Sequence, residues 1–97
     1  MMLLRERNTQ EGLLVSVCDR QDLGKTFENG AVSLTVDPAF YEGEEASAEE
    51  VINSLSRASV ANLVGTHSVQ LAIENGFIDE QNVLEFDGTR HAQYLRY

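Results

Sequence analysis

The sequence has few of the residues that mark a specialised class of protein. It contains one cysteine, Cys18, one proline, Pro38, no tryptophan, and a single lysine, Lys25. One thiol forms no disulfide within the chain and no CxxC site, which suits a reducing compartment. No apolar run approaches the roughly 18 residues that cross a bilayer, and the first residues lack the apolar segment of a signal peptide. We therefore expect a cytoplasmic protein with no membrane partner.

The balance of charge is strongly negative. Sixteen Asp and Glu residues oppose seven Lys and Arg residues, for a formal net charge of -9. This excess disfavours non-specific binding to a phosphate backbone, so we expect no DNA partner. An acid-rich, lysine-poor composition also suits a halophilic source, because carboxylates keep a surface hydrated in concentrated salt. In such a cytosol the screening length is short, and net acidity no longer argues strongly against an RNA partner.

The length of 97 residues allows one hydrophobic core, which predicts a single domain over residues 1–97. Residues 2–7 predict a short strand and the apolar residues 13–19 predict a second one, and the turn-forming segment between them predicts a first hairpin. Alternating residues 31–36 predict a third strand, which Pro38 stops because proline removes a ladder donor. Asp-Gly within residues 82–97 predicts a last hairpin.

Two helices are predicted between these strands. Ser47 and Glu50 have the spacing of a capping box, and apolar residues at helical spacing predict a helix over residues 48–64. A break at Gly65 separates it from a second helix over residues 66–75, which Gly76 ends. The predicted fold class is α+β: a mainly antiparallel sheet of about five strands with two short helices packed on it.

The string Gly24-Lys25-Thr26 copies the end of a phosphate-binding loop. The motif also needs a glycine five positions earlier, where this chain has Asp19, and a helix after the loop, where a strand is predicted. We therefore expect no nucleotide cofactor. The structural interpretation is that Gly24 permits a tight bend.

Cys18, His67 and His91 are the soft or borderline metal ligands of the chain, and none lie at the spacing of a structural zinc site. We expect no metal. An enzymatic alternative places Cys18 with one of the histidines in a pocket, with Asp19 or Glu74 as acid or base. Because Cys18 lies in an apolar stretch, we expect a buried and inert thiol, and no residue is predicted to be catalytic.

The end of the chain gathers cations, amides and aromatic rings in a sequence otherwise poor in cations. Arg90, His91, Gln93 and Tyr94 belong to this strand, and Arg5 and Arg7 would extend the patch if the first strand lay beside it. Guanidinium groups bind phosphates and tyrosines stack on unpaired bases, which suits RNA. The structural alternative is an edge strand protected by charge, with its aromatic rings covering the core. A third possibility is a homodimer that pairs through this last strand.

The predicted break between the helices adds further candidates. Asn62 lies among apolar residues and would be costly to bury without a partner, so it bonds a loop backbone or a ligand. His67 falls in the first turn of the second predicted helix. The full set of candidate binding residues is Gly24, Lys25, Thr26, Asn62, Gly65, His67, Arg90, His91, Gln93 and Tyr94.

Several strings along the chain resemble one known family. LGKTF, FYEG, ANLVG, SVQLAIENGFID, NVLEF and HAQ recur in order over nearly the whole chain and are similar to small archaeal proteins of the domain of unknown function 424. The resemblance implies an archaeal, cytoplasmic α+β protein linked to translation, and it assigns no catalytic residue. Our leading hypothesis is a non-enzymatic accessory protein that contacts RNA or a translation protein through the Gly24 loop, the predicted bend and the last strand.

Overall fold

A computed structural model describes residues 1–96, and within this range the chain forms eight strands and three α-helices. In chain order these are β1 (Met2–Thr9), β2 (Gly12–Asp19), β3 (Thr26–Asn29), β4 (Val32–Thr35), α1 (Pro38–Tyr41), β5 (Glu44–Ala46), α2 (Ala48–Arg57), β6 (Val60–Val64), α3 (Thr66–Glu74), β7 (Leu84–Phe86) and β8 (Thr89–Leu95). Short 3-10 turns follow β2 and precede β7.

Six of the strands form one sheet in the order β5-β1-β2-β6-β8-β7. The pair β2–β6 is parallel, and the other four neighbouring pairs are antiparallel. β3 and β4 form a separate antiparallel hairpin. The α+β class with a mainly antiparallel sheet is therefore confirmed, with six strands in the main sheet.

The predicted helix over residues 48–64 is wrong beyond Arg57. Ala58 leaves the helix with extended backbone, and Val60–Val64 is a central strand that pairs with β2 on one side and β8 on the other. Apolar side chains project from both faces of this strand, and such a run resembles a buried helical segment when only periodicity is considered. Backbone pairing with two distant strands decides in favour of the strand.

Most of the other local predictions are confirmed. Both hairpins form, Ser47 and Glu50 make the capping box, and Gly76 follows α3 with a φ of +78°. The third strand is shorter than predicted and pairs with β3, in a segment whose polar sequence gave no strand signal. α3 spans Thr66–Glu74, close to the predicted residues 66–75.

The core has two parts, one on each face of the sheet. On the helix face, α2 and α3 bury side chains of β2, β6 and β8, among them Val15, Leu63 and Ala92. On the second face, the β3–β4 hairpin and α1 cover one end of the sheet, where Cys18 and Val64 are buried. The rest of the second face is left without a covering layer in residues 1–96.

Candidate functional site

The second face brings together three of the candidate residues. Strand pairing places Asn62 opposite Gln93, and His91 opposite Val64, so these side chains share one face of β6 and β8. Asn62 also lies beside Ser16 of β2. These strands thus present two amides side by side with an imidazole near them.

Part of this face is uncovered. Leu14, Val60 and Asn62 are half-buried, Gln93 is exposed, and Leu95 is 55% exposed. We call these five residues the open sheet surface. Its mixture of amide groups and aliphatic side chains suits a ligand that offers both apolar contact area and hydrogen-bonding groups.

No carboxylate stands on the second face of the four central strands. The positions concerned are alternate residues from Leu3 to Thr9, Gly12 to Cys18, Val60 to Val64 and Thr89 to Leu95. They include two arginines and one histidine, and no Asp or Glu. In a chain with a formal charge of -9, these four strands therefore add no phosphate-repelling side chain to this face, and the Asp22 carboxylate that accepts from Thr89 is buried at its covered end.

The two arginines lie at the rim of this face, held against α1. Arg5 Nη1 and Arg7 Nη2 donate to the carbonyl oxygen of Ala39 at 2.9 Å and 2.7 Å. The guanidinium of Arg7 also lies over the ring of Phe40, 4.9 Å from its centroid. Each guanidinium has five N–H donors, so these contacts leave donors for a phosphate.

His91 is half-buried, and this burial lowers the pKa of its imidazole below the ordinary value. A lowered pKa favours the neutral ring at pH 7. His91 therefore offers one hydrogen-bond donor and one acceptor at the edge of the open sheet surface.

Cys18 lies on the same face but is fully buried beneath α1 and the β3–β4 hairpin. Burial, with the nearby charges of Asp19 and Asp22, raises the pKa of its thiol to about 12. The thiolate is the nucleophilic form, so these observations disfavour Cys18 as a nucleophile.

The bend before α3 is organised by a residue that the sequence did not single out as structural. Asp19, at the end of β2, accepts hydrogen bonds from the amides of His67 and Ser68 and from Ser68 Oγ. Gly65 has a φ of +126°, and a Cβ built on it would lie 2.3 Å from Asp19 Cγ. Asp19 thus caps α3 from another strand, and Gly65 permits the close approach.

The remaining candidates lie elsewhere. Arg90 and Tyr94 face the helices: Arg90 donates to Glu85 and Gln70, and the Tyr94 ring lies 5.8 Å from that of Phe77. Gly24, Lys25 and Thr26 form an exposed segment that leads into β3, a strand rather than the helix of a phosphate-binding loop. The ten candidates therefore do not form one site.

Pairing through the last strand remains a prediction. β7 pairs with Thr89–His91 of β8, and β6 pairs with His91–Leu95 along its other side. Beyond His91, no strand formed by residues 1–96 covers the side of β8 away from β6.

Two further observations concern metals and membranes. Within residues 1–96 no group of three or more His, Cys, Asp or Glu side chains is arranged to hold a metal ion. The longest α-helix, α2, has ten residues, and no helix in the described part of the chain is long and apolar enough to span a membrane.

Comparisons with known proteins agree with the fold. The model of a family described as "Protein of unknown function (DUF424)" matches residues 6–97. The chain is similar to the crystal structure of an uncharacterized conserved protein from Methanopyrus kandleri, with a TM-score of 0.77 and 19% sequence identity, over 99% of this chain and 94% of that one. No curated protein matches the chain significantly.

Proposed function

We propose that this chain, which belongs to the DUF424 family, is a non-enzymatic binding protein that contacts single-stranded RNA through the open sheet surface. The observation that carries the proposal is the pairing of Asn62 with Gln93 on an uncovered face whose central strands bear no carboxylate. The proposal includes an archaeal, cytoplasmic setting in which the RNA belongs to the translation machinery, as the resemblance of the sequence implies.

The chemistry of the surface supports an unpaired base as the ligand. Side-chain amides bond base edges through paired donors and acceptors, and unpaired bases expose those edges. The aliphatic side chains of Val60 and Leu95 offer contact area beside the amides. Arg5 and Arg7 at the rim supply the cations that a phosphate needs.

The acidity of the whole chain acts against this binding at long range. A net charge of -9 repels a polyanion, and salt reduces that repulsion because the Debye length falls to about 3 Å at 1 M. Contacts within the surface are short and survive such screening better than long-range repulsion does. The proposed binding is therefore one that operates at high ionic strength.

The test is the affinity for a fluorescently labelled single-stranded RNA of mixed sequence, measured by anisotropy at 1 M KCl. The variant Asn62→Asp/Gln93→Glu puts two carboxylates on the open sheet surface. We expect its affinity to fall at least about tenfold, because each lost base contact is worth roughly a factor of ten.

The matched control is Gln21→Glu/Gln81→Glu, which adds the same two charges at exposed positions in the two 3-10 turns. We expect its affinity to stay close to that of the unchanged protein. Equal losses of RNA affinity in both variants would show that net charge causes the loss and not the position of the two residues. Failure of the unchanged protein to bind the RNA would refute the proposal.

A further inference from the structure

We propose that the groove between the free edge of β1 and helix α2 binds an extended, lysine- or arginine-bearing segment of another protein, which adds a strand to β1. This groove lies on the helix face of the sheet, whereas the proposed RNA surface lies on the second face. The groove would bind a different class of partner. Its occupant is recognised by main-chain pairing and by charge.

The first step is that half of β1 lies at an edge of the sheet. β5 pairs with Met2–Leu4 and goes no further along β1. In an antiparallel pair, the N–H and C=O groups of every second residue face the partner strand. The Arg20 amide donates to the Met1 carbonyl, so the odd-numbered residues of β1 face β2, and these include Arg5 and Arg7. The N–H and C=O groups of the intervening residues, Glu6 and Asn8, therefore point away from the sheet.

These edge groups have no main-chain partner in the part of the chain that the structure describes. No backbone hydrogen bond to Glu6 or Asn8 is formed by the loops, and β5 ends its pairing at Leu4. A row of unpaired donors and acceptors on a strand edge is a template for another extended chain. The ligand that fits this edge is therefore a peptide segment in extended conformation.

The second step is that a groove accompanies the edge. A cavity of about 690 Å³ runs between β1, β5 and α2, with Leu4 and Glu6 on one side and Asn53 and Arg57 on the other. Its volume is within the range of ligand-binding clefts, roughly 300 to 1,000 Å³. A strand added to β1 would place alternate side chains against α2, where this cavity has room for them.

The third step is the charge of the groove. Five glutamates and two arginines line it. Arg57 forms an ion pair with Glu6 at 2.6 Å, and Glu45 forms one with Arg20. Glu44 and Glu49 form no ion pair within residues 1–96, so their charges are available to a cationic side chain.

This charge also selects between occupants. Glu6 stays ionised, because hydrogen bonds from Ser54 and Arg57 lower the pKa of its carboxyl. A second copy of this chain would bring the same carboxylates to the edge, and like charges disfavour that pairing. A basic segment of a different protein is the complementary occupant.

The test uses two labelled peptides of alternating sequence, one with Lys and Val and one with Glu and Val, in fluorescence titrations at low salt. We expect the Lys/Val peptide to bind and the Glu/Val peptide not to bind. The variant Glu44→Gln/Glu49→Gln should weaken binding about tenfold, since removal of rim charges lowers the association rate. The control Glu28→Gln/Glu74→Gln removes the same charge from β3 and α3, and its affinity should change less than about twofold.

Main-chain pairing is tested separately by Asn8→Pro. The Asn8 amide points outward, so proline removes an edge donor and leaves the pairing of β1 with β2 intact. We expect the loss of one hydrogen bond to weaken peptide binding about three- to tenfold. Hydrogen exchange gives a second readout, because the amides of Glu6 and Asn8 should exchange more slowly when the Lys/Val peptide is bound.

The results that would overturn this proposal are distinct from those that bear on the RNA surface. Absence of Lys/Val peptide binding, unchanged exchange at Glu6 and Asn8, or concentration-dependent dimers that protect these amides would each contradict it. Asn62→Asp/Gln93→Glu should change peptide binding by less than about twofold, because those residues lie on the second face and act on the peptide only at long range. Failure of either proposal is therefore visible without the other.

Discussion

Two neighbouring residues of β6 illustrate how differently the two faces of this sheet are built. Leu63 points to the helix face and is fully buried with Val15 and Val69. Asn62 points to the second face, opposite Gln93, where no layer formed by residues 1–96 covers it. One strand thus contributes a packing residue and a candidate binding residue at adjacent positions.

The same contrast appears in charge. The groove beside α2 has five glutamates, whereas the second face of the four central strands has none. The formal charge of -9 describes the molecule as a whole and neither of these surfaces. Partners of opposite charge can therefore be assigned to different sides of one small sheet, and the following predictions test whether these sides are independent.

The largest expected effect concerns the packed side of β6. Leu63→Ala should lower the free energy of unfolding by about 3 kcal/mol, because it removes buried methyl groups and leaves a cavity. Asn62→Ala, one position away, should change it by less than about 0.5 kcal/mol. Urea unfolding followed by circular dichroism measures both, and similar losses at the two positions would contradict the division between packing and binding residues.

The next effect concerns the attachment of α3. Gly65→Ala should cost about 2 kcal/mol, because Gly65 has a φ of +126° and the new Cβ would collide with Asp19. Thermal unfolding measures the loss. At a temperature where the variant is folded, its RNA affinity should equal that of the unchanged protein, and a large loss of RNA affinity would return the bend to the binding site.

The pH dependence of His91 gives a smaller effect. Burial lowers the pKa of His91, so the unfolded chain binds its proton more readily than the folded chain. The free energy of unfolding is therefore highest, as far as His91 contributes, above the ordinary histidine pKa of about 6.5. It decreases as the pH falls from there through the lower folded-state pKa. Unfolding free energies measured between pH 8 and pH 5 should show a loss that is reduced in His91→Gln, and an identical loss in both proteins would contradict the burial of this ring.

The smallest effect concerns Glu6 in the wall of the groove. Hydrogen bonds from Ser54 and Arg57 lower the pKa of the Glu6 carboxyl in the folded protein. The ionised carboxylate therefore adds to the free energy of unfolding above the ordinary carboxyl pKa, and this stabilisation is lost as the pH falls through the folded-state pKa. Because both partners of this ion pair are partly exposed, Glu6→Gln should cost only a few tenths of a kcal/mol at pH 7. The difference should shrink as the pH falls through the lowered pKa of Glu6, and a difference that does not change with pH would assign the loss to packing.

The sequence predicted the elements that short-range chemistry determines. The hairpin turns, the Ser47–Glu50 capping box and the glycine after α3 depend on residues close in the chain, and all of them form. Apolar spacing predicts a helix where β6 lies, because the identity of this strand depends on pairing with β2 and β8, which lie far away in sequence. β3 carries a polar sequence, and its partner β4 determines its conformation.

The candidate site was predicted in part, for similar reasons. His91 and Gln93 were predicted together in a patch on the last strand and Asn62 at the bend, but the position of Asn62 beside Gln93 follows from strand register, which the sequence does not specify. Arg90 and Tyr94 belonged to the same predicted patch, and the alternation along β8 places them on the other face. The role of Asp19 as a cap was missed because its partners lie 48 and 49 residues away, although an acidic residue at the end of an apolar strand was a visible signal.

The most direct test of the RNA surface is a nuclear magnetic resonance titration of the isotope-labelled protein with a single-stranded RNA at high salt. The proposal predicts shifts in the backbone and side-chain amides of Asn62 and Gln93 and in the imidazole of His91, with the amides of Glu6 and Asn8 unchanged. Shifts centred on the groove beside α2, or on the exposed segment around Lys25, would contradict it.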